Sequence, residues 1–208
     1  LEASSAASDV YKRQVDVRTG VHVAGIDAAN KRVLLPDDHL DYSKLVLALG
    51  ADTWTPPLEG DAVGEVFSVN DLMDYGKFRA AVEGKKTVTI LGGGLIGCEF
   101  ANDLSNGGFQ VSLVEPMGRC LPLLLPEQAS EAVGRGLADL GVQFHFGPLA
   151  KAVHHGDNGQ LVTELSDGSK LESDVVLSAI GLRPRISMAK EAGLDTNRGI
   201  LTDKTLRT

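Results

Sequence analysis

The sequence predicts an α/β fold, a parallel sheet with an attached β-meander, and three observations carry that reading. An apolar, β-branched run at 87–91 is followed at once by Gly92, Gly94 and Gly97 in the spacing G-x-G-x-x-G and then by an amphipathic segment. A second apolar run, 110–114, ends in an acidic residue, Glu115, 23 positions after Gly92. Turn signals at 156–159 and 167–168 break the next stretch into short strands ahead of a further apolar run at 174–180.

Taken in order, residues 1–14, LEASSAASDVYKRQ, have no periodicity and resemble a translated adapter, so native sequence is expected from about Val15. Val15–Val23 and Lys31–Leu35 read as strands separated by the turn-prone Asp27-Ala28-Ala29-Asn30. Tyr42–Leu49 reads as a strand buried on both faces, because 45–49 is continuously apolar and stops at Gly50. Pro56, Pro57 and Gly60 mark an extended connection. Asn70 is the expected cap of a helix with Leu72, Tyr75, Phe78 and Val82 on one face.

The glycine-rich turn is the centre of the chain. Gly92 permits the tight turn, Gly94 lets backbone approach a pyrophosphate, and Gly97 lets helix lie against strand, with the helix amides of Leu95 and Ile96 beside the phosphates. Ile96, Phe100 and Leu104 repeat at helical spacing, and Gly107-Gly108 ends that helix. Glu115 stands where a carboxylate accepts ribose hydroxyls and repels a 2′-phosphate, which favours NAD over NADP. Arg119 is the nearby cation. The loop alone leaves open an unliganded βαβ unit or another adenosine cofactor such as S-adenosylmethionine. A helix at 127–140, with Val133, Leu137 and Leu140 on one side, stops at Gly141 and leads to a strand at 142–146. Gly181, at the carboxyl end of the 174–180 strand, lies where open α/β sheets bind ligands.

Composition narrows the function classes. A chain of 208 residues with net charge −8 lacks the basic surface of a general nucleic-acid binder. No run approaches a membrane helix of about 18 apolar residues. Cys98 and Cys120 form neither C-x-x-C nor a zinc spacing, which suits a reducing cytoplasm and gives no dithiol active site. Five histidines, including the adjacent His154 and His155, show no metal-ligand pattern and read as surface residues, so no metal is expected. No nucleophile elbow or triad is evident, so no catalytic side chain is assigned.

Three separated motifs agree with one another: Ala48-Leu49-Gly50, GGGLIGCE at 92–99 and SAIGLRPR at 178–185. With FSVNDLMDYGKFR at 67–79 they resemble the FAD-dependent pyridine nucleotide-disulfide oxidoreductases, over residues 15–208. The resemblance implies an NAD-binding domain at 67–184 inserted in an incomplete FAD-binding domain, 15–66 and 185–208. The family's FAD-pyrophosphate glycine motif is expected upstream of Val15, and its Gly-Asp motif beyond Thr208. It implies NAD contacts from Gly92, Gly93, Gly94, Leu95, Ile96, Gly97, Glu115 and Gly181. For FAD it implies backbone contacts from Val23, Ala48, Leu49 and Gly50, with Leu49 in place of the family's usual threonine, and Glu99 between flavin and nicotinamide. It further implies an enzyme passing electrons from NADH through FAD to rubredoxin or a similar small electron-transfer protein, with ferredoxin or oxygen as alternative acceptors. Lys77, Arg79, Lys85 and Lys86 are the largest basic group available to an acidic partner. The reading from another class is an NAD-binding module, or a redox-sensing flavoprotein without turnover.

Overall fold

The computed structural model describes residues 15–208, so the expectation for 1–14 lies outside the described residues. The described chain divides into two compact units, residues 15–50 with 184–208, and residues 51–183.

The larger unit has three layers. Its centre is a four-stranded parallel sheet in the order β11-β5-β6-β7, made of Thr87–Leu91 (β5), Gln110–Glu115 (β6), Gln143–Phe146 (β7) and Val175–Ser178 (β11). Phe67 bridges Leu177 in parallel at the β11 edge. Side chains alternate across the sheet as the period of two requires. Val88, Ile90, Val111, Leu113, Val175 and Leu177 join the core on the helical face. Leu91, Val114 and Val176 join the core on the other face. Both faces are covered, which is why these runs are continuously apolar.

The helical layer is Leu72–Val82 (α1), Leu95–Asn106 (α2) and Glu127–Asp139 (α3). The opposite layer is the antiparallel meander Ala150–His155 (β8), Leu161–Leu165 (β9) and Lys170–Ser173 (β10). Val153, Leu161 and Leu165 pack from it onto the central sheet. The segment before α1 is tied to this layer by Glu59 paired with Ala152 and by Asp61, which accepts the His155 amide at 3.1 Å. His154 and His155 are exposed, as a surface reading requires, and both pair with Asp61, while His155 also reaches Glu65. Among the described residues no group of three His, Cys, Asp or Glu side chains is placed to hold a metal ion. No helix among them is long and apolar enough to cross a membrane.

Ala51–Thr53 (β4) pairs with Leu182–Pro184 (β12), so the larger unit is entered and left through neighbouring strands. In the smaller unit Gly25–Asp27 (β1), Arg32–Leu34 (β2) and His39–Asp41 (β3) form an antiparallel sheet, joined by the short helix Ser187–Glu191 (α4).

Several expectations need correction. Val15–Val23 is not a strand, since the first ladder begins at Gly25, where Ile26 can pair with Val33. Tyr42–Leu49 is neither a strand nor buried, and Val46 is 86% exposed. Apolar propensity supplies no ladder by itself, and among the described residues no strand pairs with this run. Asn70 does not cap α1: its side chain donates to the Ala51 carbonyl at 2.8 Å. Asp71 is the cap, its carboxylate accepting the amides of Met73 and Asp74 at 2.9 Å each. Of the expected α1 face only Phe78 and Val82 are buried, while Leu72 is 80% exposed.

Asp174 fastens the start of β5 to β11, accepting the amides of Lys86 and Thr87 and the Thr87 hydroxyl at 2.8 to 2.9 Å. Burial raises its pKa, but these hydrogen bonds outweigh burial and hold it below the ordinary carboxylate value. A carboxyl depressed in the folded state stabilises above its unfolded pKa and loses that contribution as pH falls through its folded pKa. Asp174→Asn is therefore expected to lower stability at neutral pH and to flatten the loss of stability below about pH 4. Urea unfolding across that range measures both effects, and an unchanged acid limb would count against the assignment.

Candidate dinucleotide site

The parallel register brings Leu91 opposite both Val114 and Ser178, so β5, β6 and β11 end together at one edge of the sheet. The turn from β5 into α2 crosses this edge. Gly92 adopts φ 106°, and a Cβ there would meet the Ala179 carbonyl oxygen at 2.7 Å. At Gly97 a Cβ would strike the Gly92 carbonyl oxygen. Gly94 is different, because nothing lies within 4 Å of a Cβ built there. It is the N-cap of α2 and offers no side-chain cap, so the first-turn amides have no acceptor from the cap residue. Open space beside exposed amides and the positive end of the helix dipole suits a phosphate.

Glu115 holds this turn in place. Only 6% exposed, it accepts the Gly93 amide on one carboxylate oxygen at 2.7 Å and the Met117 amide on the other at 2.8 Å. Its side chain also fills the space beside Gly93, where a Cβ would come within 2.9 Å of the Glu115 Cβ. From the other side the Leu121 amide donates to the Gly93 carbonyl at 2.7 Å. Glu115 thus closes the turn first, and a carboxylate with two oxygens retains lone pairs for a ribose hydroxyl. Arg119 donates to the Pro122 carbonyl at 3.4 Å.

Gly181 has φ 124°, and its carbonyl accepts the Trp54 amide at 3.0 Å. It shares a narrow cleft with Ile96, Phe100, Ala179 and Leu182. The Arg183 guanidinium stands 5.1 Å over the Trp54 ring, adding a cation–π contact beside that cleft. Glu99 borders a different space, a groove of about 600 Å³ between α2 and α3 lined also by Leu95, Cys98, Leu121 and Leu137. Since α2 begins at Leu95, Glu99 opens its second turn, beyond the first-turn amides where the helix dipole acts most strongly.

A model of the pyridine nucleotide-disulphide oxidoreductase family matches residues 2–208. The chain belongs to that family. It is 97% identical over 194 residues to the rubredoxin-NAD(+) reductase of Alcanivorax borkumensis, covering 93% of this chain and 51% of that protein. It is 44% identical over 170 residues to the rubredoxin-NAD(+) reductase of Acinetobacter baylyi, covering 80% of this chain and 43% of the relative. The chain therefore spans about half the length of the curated relatives it matches. Among solved structures, the ferredoxin reductase for the CYP199A2 system of Rhodopseudomonas palustris superposes with a TM-score of 0.87 at 26% identity, over 96% of this chain and 49% of that one.

Within this member of the pyridine nucleotide-disulphide oxidoreductases, Gly92, Gly93, Gly94, Leu95, Ile96, Gly97 and Glu115 come together at one sheet edge, and Gly181 meets Ile96 across the narrow cleft. The other four residues assigned from the sequence lie in the smaller unit. Val23 is half-buried just ahead of β1. Ala48 is exposed, the Leu49 carbonyl accepts the Arg185 guanidinium at 3.5 Å, and the Gly50 carbonyl accepts the Arg185 amide at 3.0 Å.

Sequence reasoning missed one cluster entirely. Cys98 and Cys120 are buried in one core cluster and meet at the Gly93 carbonyl, which also accepts the amide of Leu121, the residue after Cys120, at 2.7 Å. The Cys98 thiol also donates to the Gly93 carbonyl at 3.3 Å. Interaction with Cys120 holds Cys98 below the ordinary thiol range against burial, helped by the Leu121 amide and opposed by the Glu115 charge. The same interaction, then burial and the charges of Cys98 and Glu115, push Cys120 up. No spacing announces this pair, because the loop after β6 folds back over the glycine turn to make it.

Gly97→Ala, with its methyl set against the Gly92 carbonyl, is expected to destabilise the protein by about 1–3 kcal/mol. A melting temperature within a degree or so of the parent would show that α2 can yield there.

Proposed function

We propose that this chain is the dinucleotide-handling part of an NADH-dependent flavoprotein reductase that passes electrons from NADH through FAD to rubredoxin. The observation that carries the proposal is the unfilled space at Gly94, at the capless start of α2, in a turn that the Glu115 carboxylate holds through the neighbouring Gly93 amide. NADH, when bound, supplies a hydride, and a flavin turns that two-electron donor into a one-electron supply.

The chain's own residues bind and orient. Gly92, Gly93, Gly94 and Gly97 shape the turn, the Leu95 and Ile96 amides face the pyrophosphate, and Glu115 takes the adenosine ribose with its remaining lone pairs while repelling a 2′-phosphate. Gly181 admits the nicotinamide end beside Ile96. For FAD the chain would offer backbone at Val23, Ala48, Leu49 and Gly50, and Glu99 would act from the groove between α2 and α3. The NAD-binding domain is then 67–184 and the FAD-binding parts 15–66 and 185–208. The rubredoxin assignment is supported by the names of the two rubredoxin-NAD(+) reductases and by 97% identity to one of them. An acidic partner would meet Arg79, Lys85 and Lys86 more readily than Lys77, which is paired with Asp74 at 3.4 Å. Two buried cysteines in neither a C-x-x-C nor a zinc spacing suit a reducing cytoplasm. The likeness to a solved ferredoxin reductase supports a second reading, reduction of a ferredoxin by the same site.

The deciding experiment is NADH oxidation by the full-length protein carrying this segment, with rubredoxin, ferredoxin or oxygen as acceptor. Stimulation by rubredoxin alone is expected. Equal service by the others would leave the dinucleotide site and remove the specific acceptor. Gly94→Ala should melt like the parent, having no neighbour to strike, and yet bind NADH about tenfold more weakly or worse, a loss of some 1.4 kcal/mol. Unchanged affinity in a titration would move the pyrophosphate elsewhere. Glu115→Gln should lower stability by about 1–2 kcal/mol through the Gly93 contact. It should also narrow the preference for NADH over NADPH, so unaltered discrimination would remove Glu115 from the ribose site.

A further inference from the structure

The cysteine pair has no part in the binding scheme above, yet it is built into the turn that performs it. Cys98 and Cys120 are the only cysteines in the 208 residues, and both are buried, at 6% and 1% exposure. Cys98 nevertheless lines the groove between α2 and α3, the side from which a small solute would approach it. Three contacts organise it. Cys98 and Cys120 share one buried core cluster, the Cys98 thiol donates to the Gly93 carbonyl at 3.3 Å, and the residue after Cys120 is anchored to the same turn. Leu121 also donates to that same carbonyl. On the far side, the Ser130 hydroxyl holds the Cys120 carbonyl, fixing the loop to α3.

We propose that Cys98 and Cys120 form a reversible disulfide on exposure to hydrogen peroxide, and that this bond weakens NADH binding at the adjoining glycine turn. The Cys98 thiolate attacks one peroxide oxygen, the O–O bond breaks, and the departing hydroxide takes a proton to leave as water. Cys98 is then a sulfenic acid. The Cys120 thiol gives up its proton and attacks the Cys98 sulfur, the S–O bond breaks, and the hydroxyl leaves as a second water. Two thiols and one peroxide become one disulfide and two waters, with the electron pair passing from sulfur to oxygen. A dithiol reverses the step by exchange.

The consequence for binding rests on the dinucleotide reading of the turn. Joining the sulfurs replaces a non-bonded contact by a covalent bond of about 2.05 Å. It also removes the thiol hydrogen given to Gly93. The first turn of α2 and the loop at 120–121 must move towards each other, and they carry between them the amides beside Gly94. Misaligning one amide hydrogen bond to a charged phosphate is enough to raise the NADH dissociation constant about tenfold, which is the expected order. Linkage makes the effect reciprocal, so saturating NADH should disfavour the disulfide by the same factor.

The test uses the full-length protein, reduced with dithiothreitol and then treated with an equivalent of hydrogen peroxide. Peptide mapping is expected to find a Cys98–Cys120 cross-link with the loss of two hydrogens. NADH titration should show the tenfold weakening, with recovery after a second reduction. Cys120→Ser keeps a hydroxyl donor at that position and should form no cross-link, leaving NADH affinity insensitive to the same treatment. No cross-link in the parent protein, oxidation of Cys98 to sulfinic acid without pairing, or a cross-link that leaves NADH affinity unchanged would each overturn the proposal. Should the reduced protein fail to bind NADH at all, the dinucleotide reading fails and the consequence for binding goes with it, while peptide mapping still decides the thiol chemistry.

Discussion

The contact between the Glu115 carboxylate and the Gly93 amide is the constraint on which the site depends. It ties the turn after β5 to the last residue of β6, two elements already neighbours in the parallel sheet. A charged acceptor for a backbone donor is among the stronger hydrogen bonds, and at 6% exposure little water competes for it. With Gly93 fixed, the chain has one path into α2. Gly92 must take its left-handed conformation under the Ala179 carbonyl, and Gly97 must come against Gly92. The unfilled space at Gly94 is what remains when those three positions are satisfied. Glu115, proposed as a reader of the ribose, is therefore also part of the frame of the glycine turn.

Much of the larger unit was legible because its signals are local and agree with one another. The apolar run of β5, the i, i+4, i+8 spacing of Ile96, Phe100 and Leu104, and the acidic end of β6 each arise within a few residues and point to one arrangement. The meander was readable from its turns. The failures are non-local. Tyr42–Leu49 has the composition of a buried strand, yet a strand exists only with a partner, and composition does not say where the partner is. Asn70 and Asp71 are both good caps, and the choice fell to Asp71 because Asn70 is taken by the Ala51 carbonyl, 19 residues away.

The cysteine pair belongs to the same class. Cys98 and Cys120 are separated by a helix, a strand and a loop, so no short spacing rule joins them. What joins them is the return of the loop after β6 across the glycine turn, sealed by the Leu121 amide on the Gly93 carbonyl. That return is not written in any periodicity. The signal that could have found it is modest: each cysteine lies a few residues from one end of the dinucleotide motif, on segments that a strand-turn-helix unit folds towards each other.

The pairing of β4 with β12 has a consequence for how the larger unit is connected. Its two ends lie side by side, so the chain between them is a closed loop pinned at its neck. To first order, the loop-closure entropy is settled at that neck and depends only weakly on the length enclosed. Insertions at the exposed Gly156–Gly159 turn, on the meander, would lengthen the loop without moving its mouth. Topologically the unit is a cassette: a host chain need supply only two adjacent strand ends to carry it, and the sheet edge with the glycine turn travels inside it intact.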